Sequence, residues 1–448
     1  MARHSKSEPS SRGNTLPFAL RALGHRNYQL FFGGQLISLT GTWMQSVAQS
    51  WLVYSLTGSA VLLGLIGFAG QIPVLLFAPI GGIVADRHDR RWTLVATQSA
   101  AMVLASALAV LTLSGRVQVW HVVVLSALLG VVNAFDIPVR QAFVVDMVGR
   151  GDLVNAIALN SSMFNGARII GPAVAGVLVA TIGEGWCFFC NAVSYVAVII
   201  GLLAMTVNAR RPVPVPTSAF RSMMDGFAFV GRSRPIWALM LLLGIVSLTA
   251  MPYAVLMPIF ADQILHAGAS GLGLLMGFSG VGALLGALTL AVRKEVRGLG
   301  RWVALSSAGF GVSLILFAVS RSFWLSAALL VPVGFSMMVE MASSNTLVQT
   351  MVPDGLRGRV MAVYSMMFMG MAPFGALLAG GLAHPLGAPA TVALGGAVSI
   401  AAAGIFGLQL PALRQEARQM IVALEMAGGV PPEEVTADGS AAALRHDA

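Results

Sequence analysis

Twelve apolar stretches run through the chain, at roughly 28–54, 59–85, 92–114, 117–148, 153–182, 185–208, 235–261, 270–292, 302–320, 322–352, 358–383 and 388–410. Each is long enough to cross a hydrocarbon core as a helix, which takes about 20 residues. Few folds can absorb this pattern. Charged residues make up 10% of the chain and the hydrophobic set 57%, against about 25% charged in soluble domains. A soluble protein cannot hide that much apolar surface, and disordered segments lack hydrophobes altogether. Strands of a membrane barrel alternate in polarity, and these stretches do not. The expected fold is an all-α membrane protein with twelve transmembrane helices in two six-helix halves. The fourth and tenth stretches carry polar residues and are expected to be tilted, broken or buried in the bundle.

The basic residues orient the chain. Lysine and arginine total 27 against 18 acids. With the N-terminus in the cytoplasm, Arg87, Arg90 and Arg91, the middle loop from Arg210 to Arg234, Arg293 to Arg301, and Arg357 with Arg359 all fall inside. Only Arg116 and Arg321 fall outside, and Arg168 falls within a span. This bias implies a multi-pass membrane protein with both termini cytoplasmic. It also excludes a nucleic-acid binder, because no compact basic domain exists. Residues 1–27 form a polar N-terminal arm without a secretory signal. Two cysteines exclude a disulfide framework.

The expected organisation is an arm (1–27), a six-helix half (28–208), a cytoplasmic linker (209–234), a second half (235–410) and a tail (411–448) with a short helix and then disorder. The linker opens on Arg210-Arg211-Pro212-Val213-Pro214-Val215-Pro216, an extended connector. Phe220, Met223, Met224 and Phe227 then fall at helical spacing. They fit a helix in the membrane interface or an amphipathic linker helix against the bundle. Gly171-Pro172-Ala173-Val174-Ala175-Gly176 has a partner 204 residues later in Gly375-Ala376-Leu377-Leu378-Ala379-Gly380, and Gly183 and Gly387 keep that offset. Such repeats are common in transporters, whose substrate site lies between the halves near the midplane.

The most specific local signal is Gly82-Ile83-Val84-Ala85-Asp86-Arg87-His88-Asp89-Arg90-Arg91, between the second and third spans. It resembles the loop 2–3 signature of the major facilitator superfamily, with Asp89 where glycine is usual. Mechanically, a carboxylate at a membrane boundary can cap a helix N-terminus. The arginines can pair with acids across the interface between halves, a lock that holds one access state. Its expected members are Gly82, Asp86, Arg87, Arg90, Arg91 and Asp146, the last placed to meet Arg87 or Arg90.

Tyr28-Gln29-Leu30-Phe31-Phe32, Gly41-Thr42-Trp43-Met44-Gln45 and Trp51-Leu52-Val53-Tyr54-Ser55-Leu56-Thr57-Gly58-Ser59 narrow the resemblance. So do Asn155-Ala156, the run Asn165 to Pro172, and Gly358-Arg359-Val360-Met361. Over roughly residues 25–410 the chain is similar to the branch of enterobactin-exporter and macrolide-efflux-type permeases. The resemblance implies a twelve-helix, proton-driven exporter of an amphipathic small molecule, drug or siderophore-like. Gly171, Pro172 and Gly176 also resemble an antiporter signature in the fifth helix. There proline removes a backbone bond and glycine permits close contact, so the helix can bend.

Four ionisable residues within spans stand out, because charge in a bilayer is costly and usually functional. Arg168 and Glu340 fall near the middle of their spans, while Asp136 and Arg140 lie four apart on one helical face. Glu340 or Asp136 is the expected proton carrier. Burial favours a protonated carboxyl and a nearby arginine the ionised form, so moving Arg168 or Arg140 would switch proton affinity. The expected substrate pocket is apolar and methionine-rich, with Trp43, Gln45, Gln49, Met337, Met341, Asn345 and Met367.

No cofactor or metal is expected. Cys187 and Cys190 lack a second pair, the seven histidines show no ligand spacing, and no phosphate-binding loop occurs. The expected partners are a small amphipathic substrate, protons and membrane lipids, with no nucleic acid and a monomeric state. The alternatives are an importer of the same fold and a non-transporting membrane enzyme or sensor. An enzyme would need a nucleophile with a base or a metal set, which no span supplies.

Overall fold

A computed structural model describes residues 18–149, 151–206, 219–293 and 298–426. The first part of the arm, the proline-rich connector and the end of the tail lie outside these residues, as do Arg150, Lys294 and Arg297. After a short 3-10 turn (Phe18–Gly24) the helices are α1 (Arg26–Thr57), α2 (Ala60–Arg87), α3 (Arg90–Leu113), α4 (Val119–Val148), α5 (Leu153–Ile182) and α6 (Glu184–Ala204). Then come α7 (Ala219–Arg232), α8 (Arg234–Ile264), α9 (Gly268–Val292), α10 (Leu299–Val319), α11 (Phe323–Met351), α12 (Asp354–Leu386) and α13 (Ala388–Met426). No strand occurs among the described residues.

Eleven of these helices are long and apolar enough to cross a membrane, so the chain is a multi-pass membrane protein. Besides the 14-residue α7, the helix absent from the eleven is α1, although it has 32 residues. Its apolar run is interrupted by Gln29, Gln35, Gln45 and Gln49, and the last two face a cavity. Two departures concern helix shape. The last span continues unbroken to Met426, well past 410, and α8 passes through 3-10 and π turns between Met251 and Ile264. Pro252 and Pro258 lie there, where each removes a backbone donor.

Helices α1–α6 pack mainly among themselves, and α8–α13 do likewise. Two helix pairs carry most of the contact between these groups, α5 with α9 and α2 with α12. Glycine explains why. Gly171 of α5 presses on Trp43 and Thr40 of α1, within its own group, while Gly176 meets Ser270 and Gly273 of α9, across the interface. In the second copy of the repeat, Gly375 presses on Ser247 and Leu248 of α8, and Gly380 meets Ala60 and Gly64 of α2. The sequence repeat is thus a repeat of packing, because only residues without a side chain let the backbones approach this closely. Helix α5 runs without a break through Pro172, so close packing is the visible consequence of the Gly-Pro segment.

The basic end of the bundle carries Arg26, Arg87 and Arg234; the far end carries Thr57, Ile182 and Ile264. The close contacts between groups fall from the far end to the middle. There the Tyr54 hydroxyl donates to Asp262 Oδ2 at 2.7 Å, and Phe68 meets Phe374 edge-on at 6.0 Å. Gly280 packs on Arg168, and Leu75 on Gly370. Nearer the basic end, Ser161 and Phe164, on the face of α5 that bears Arg168, are exposed. Helix α7 packs on α12: Gly226 meets the Arg359 carbonyl, and Arg359 donates to Asp225 at 2.9 Å. Of the two readings of the linker helix, this contact is the one against the bundle.

Candidate functional site

A cavity of about 350 Å³ opens between the two groups. Its walls are α1, α2, α4, α6, α8 and α9, so the first group supplies most of the lining. Trp43, Gln45 and Gln49 of α1 all face it. Asn191 donates to Gln45 Oε1 at 2.7 Å, and Gln49 donates to Ser126 at 2.9 Å. Gln71, Asn133 and Tyr195 add polar groups, and Ile66, Val255, Leu272 and Met276 add apolar surface. Among the described residues the lining has no charged one. A largely apolar wall with a few polar groups suits a small amphipathic ligand.

Met337, Met341, Asn345 and Met367 do not line this cavity. The Met337 thioether accepts from Arg168 at 3.8 Å, the Met341 carbonyl accepts from Tyr364, and Asn345 accepts from Gln349. Met367 lies over Gly244 of α8. Helices α11 and α12 therefore border the interface outside the cavity. Asn191, Gln71, Asn133 and Tyr195 were not singled out by sequence. Isolated polar residues on apolar helices form no pattern, and their convergence follows from packing alone.

The loop 2–3 motif is knotted within the first group. Arg90 forms an ion pair with Asp146 at 2.8 Å and donates to the Ala85 and Ala142 carbonyls, while Asp86 stands 3.9 Å from it. Arg91 donates to the Leu202 and Leu203 carbonyls at the end of α6, both at 2.7 Å. Arg87 is exposed, and open space surrounds Gly82. The arginines thus tie α2, α3, α4 and α6 together, and these contacts do not cross to the other group. Asp89 replaces the usual glycine without strain. Its φ is −64°, and its carboxylate caps α3 by accepting from the Trp92 amide at 3.2 Å.

The interior carboxylates differ. Asp136 is 4% exposed and fully partnered: Oδ1 accepts from Thr97 at 2.9 Å and Gln98 at 2.8 Å, and Oδ2 lies 3.4 Å from Arg140 Nε. Arg140 also donates to Gln35 at 3.1 Å. Glu340 is 2% exposed, and its Oε1 has no hydrogen-bond partner. Its neighbours are Ser307 of α10 and Tyr364 of α12, and no salt bridge reaches it among the described residues. Glu340 falls 204 residues after Asp136, the offset of the glycine repeat, and Gly334 stands to Gly130 in the same way. Both glycines press on the neighbouring helix, Gly130 on Gly70 and Gly334 on Ser279. The offset was visible in the sequence, and this pairing of carboxylates is a signal it contained. Arg168 lies over the Trp43 ring at 5.7 Å.

Among the described residues no group of three His, Cys, Asp or Glu side chains is placed to hold a metal ion. Cys187 is buried, Cys190 exposed, and both are free thiols.

A repeated helical bundle with a largely apolar cavity on the seam between its groups is the architecture of a membrane transporter of the major facilitator type. The chain belongs to the transmembrane secretion effector family, whose pattern it matches over residues 18–438. It is 26% identical over 382 residues to the staphyloferrin A transporter of Staphylococcus aureus, covering 84% of this chain and 94% of that one. It is 27% identical over 386 residues to the multidrug efflux pump Tap of Mycolicibacterium fortuitum, covering 84% and 93%. Against the enterobactin exporter EntS of Shigella boydii it is 25% identical over 359 residues, covering 80% and 85%. The fold is also that of a bacterial homologue of the human lysosomal transporter Spinster, solved inward-facing and unoccupied. There the TM-score is 0.63 at 14% identity, with 92% of this chain and 99% of that one covered. The family is one of transporters, not enzymes.

Proposed function

We propose that the protein exports an amphipathic small molecule, drug or siderophore-like, across a bacterial inner membrane by proton-coupled alternating access. In this reading α1 is the twelfth span, and residues 28–208 and 235–410 are the two moving halves. The linker 209–234 joins them, both termini are cytoplasmic, and the working unit is a monomer surrounded by lipid. The cavity is the substrate site. Contacts between the groups from the far end to the middle, with an exposed face of α5 nearer the basic end, fit an inward-facing state. In the outward-facing state Tyr54 and Asp262 separate, while the loop 2–3 cluster keeps the first half rigid and its exposed Asp86 and Arg87 become available to the other half.

Glu340 is the proton carrier. The observation that best supports this is a buried carboxyl with an unpartnered oxygen and, among the described residues, no salt bridge. It lies one turn from Met337, which touches Arg168 across the interface between groups. Such a carboxyl can be occupied by a proton in one state and stabilised as an anion in the other, when a cation approaches. Asp136 already has its cation and its donors, and acts as a standing ion pair. In the relatives' names the cargo is staphyloferrin A, enterobactin or multiple drugs, which supports a substrate of that range.

The test is accumulation in an efflux-deficient bacterial host, over lipophilic dyes, macrolides and catecholate siderophores. Wild-type protein should lower accumulation of at least one compound, and a protonophore should abolish the effect. Unchanged accumulation of every compound, with the protein confirmed in the membrane, counts against export.

A further inference from the structure

Arg168 is a cation in the interior with no carboxylate partner. It lies 15 residues into the 30-residue α5, near the middle of the bundle, and no acidic group among the described residues comes within salt-bridge distance. A guanidinium has five donors. Among the described residues the side-chain acceptor it reaches is the Met337 thioether, a weak one, at 3.8 Å. The ring of Trp43 lies 5.7 Å from the guanidinium carbon, a distance suited to a cation–π contact. The guanidinium is half-buried, and these groups offset only part of the cost of withdrawing it from water.

The surroundings are built. Gly171, one turn beyond Arg168, presses directly on the Trp43 Cβ, so the indole is fixed against α5. Phe164, one turn before Arg168 on the same helical face, meets the indole edge-on at 5.6 Å and is 45% exposed. Trp43 also forms part of the cavity wall, which carries no charge of either sign. Trp43 of α1 and Phe164 of α5 therefore form an aromatic platform beside the Arg168 guanidinium, continuous with the cavity through Trp43.

We infer that Arg168 and Trp43 form the recognition subsite for an anionic substrate group, and that the cargo is an aromatic or amphipathic carboxylate or similar oxyanion. The guanidinium takes the anion through paired N–H donors, a geometry that matches carboxylates, while Trp43 and Phe164 take the adjoining ring. This rests on the proposed transport function and narrows its substrate class.

The test uses the full chain in lipid nanodiscs and three fluorescent probes on one skeleton: dansylglycine (anionic), dansylglycinamide (neutral) and dansylcadaverine (cationic). Wild-type protein should bind dansylglycine about tenfold more tightly than the amide, the size of one charge-assisted hydrogen-bonded contact. Arg168→Gln should erase that difference, and Arg168→Lys should retain part of it. Equal binding of the amide or the cation by wild type would overturn the inference. So would a preference that survives in Arg168→Gln, or absence of saturable dansylglycine binding to folded wild-type protein. Should Arg168→Gln fail to fold, the wild-type charge comparison and Arg168→Lys still decide. Charge-selective binding without uptake of any probe into proteoliposomes under a pH gradient would sink the transport reading and keep the subsite. Equal transport of acid and amide would do the reverse.

Discussion

Asp136 and Glu340 stand 204 residues apart at corresponding places in two repeated helix groups. Each is buried behind a glycine that presses on the neighbouring helix, Gly130 in one and Gly334 in the other. Their company differs at one position. Four residues beyond Asp136 comes Arg140, which pairs with it; four residues beyond Glu340 comes Ser344, itself buried. Helical spacing puts both on the face of their carboxylate. The same scaffold thus holds one carboxylate with a cation beside it and one without. A permanent partner keeps a group in one protonation state, whereas a group without one responds to whatever the other half brings near it. In the proposed mechanism this asymmetry gives rigidity to the first half and coupling to the second.

That contrast can be broken experimentally. The largest effect is expected from Glu340→Gln, which should reduce proton-driven export to the level of cells without the protein. Asp136→Asn should retain most of it once equal amounts of folded protein are compared. Next is Arg140→Gln, which leaves Asp136 buried and unpaired. Removing one partner of a buried pair costs about 3–5 kcal/mol, so a large drop in thermal midpoint is expected in nanodiscs. Adding Asp136→Asn to Arg140→Gln should restore much of it. Ser344→Arg supplies the missing partner to Glu340. It should lower gradient-driven export about tenfold, the scale of a 1.4 kcal/mol bias between states, without lowering the thermal midpoint by as much as Arg140→Gln. The smallest effect belongs to the loop 2–3 motif, where Asp89→Ala removes one helix cap. A loss of about 1 kcal/mol is expected, read as a small shift in midpoint with export intact.

Much of the molecule was legible from its residues, for identifiable reasons. Long apolar stretches mark helices irrespective of partners, so the element order followed directly. Helix α1 was counted as a span even though its glutamines keep it out of the most apolar set, and these polar residues mark the cavity wall. The glycine repeat was legible because close backbone contact tolerates no other residue at Gly171, Gly176, Gly375 and Gly380. What stayed hidden depends on which helix faces which. Trp43, Gln45 and Gln49 meet Asn133, Asn191 and Tyr195 only after α1, α4 and α6 pack together. The methionines of α11 and α12 look alike in sequence, yet Met337 meets Arg168 while Met367 covers Gly244. Asp89 reads as a departure from a motif, and its role as the cap of α3 emerges from its backbone angles.

Most direct is a comparison, in proteoliposomes, of uphill and downhill movement of a compound identified by the accumulation screen. Wild-type protein should concentrate it against its gradient when a pH gradient is imposed, and should also exchange it at equilibrium without one. Glu340→Gln should lose the uphill movement and keep the exchange, while Asp136→Asn should keep both. Uphill transport at the wild-type rate by Glu340→Gln, in protein reconstituted to the same level, would contradict the assignment of coupling to the unpaired carboxylate.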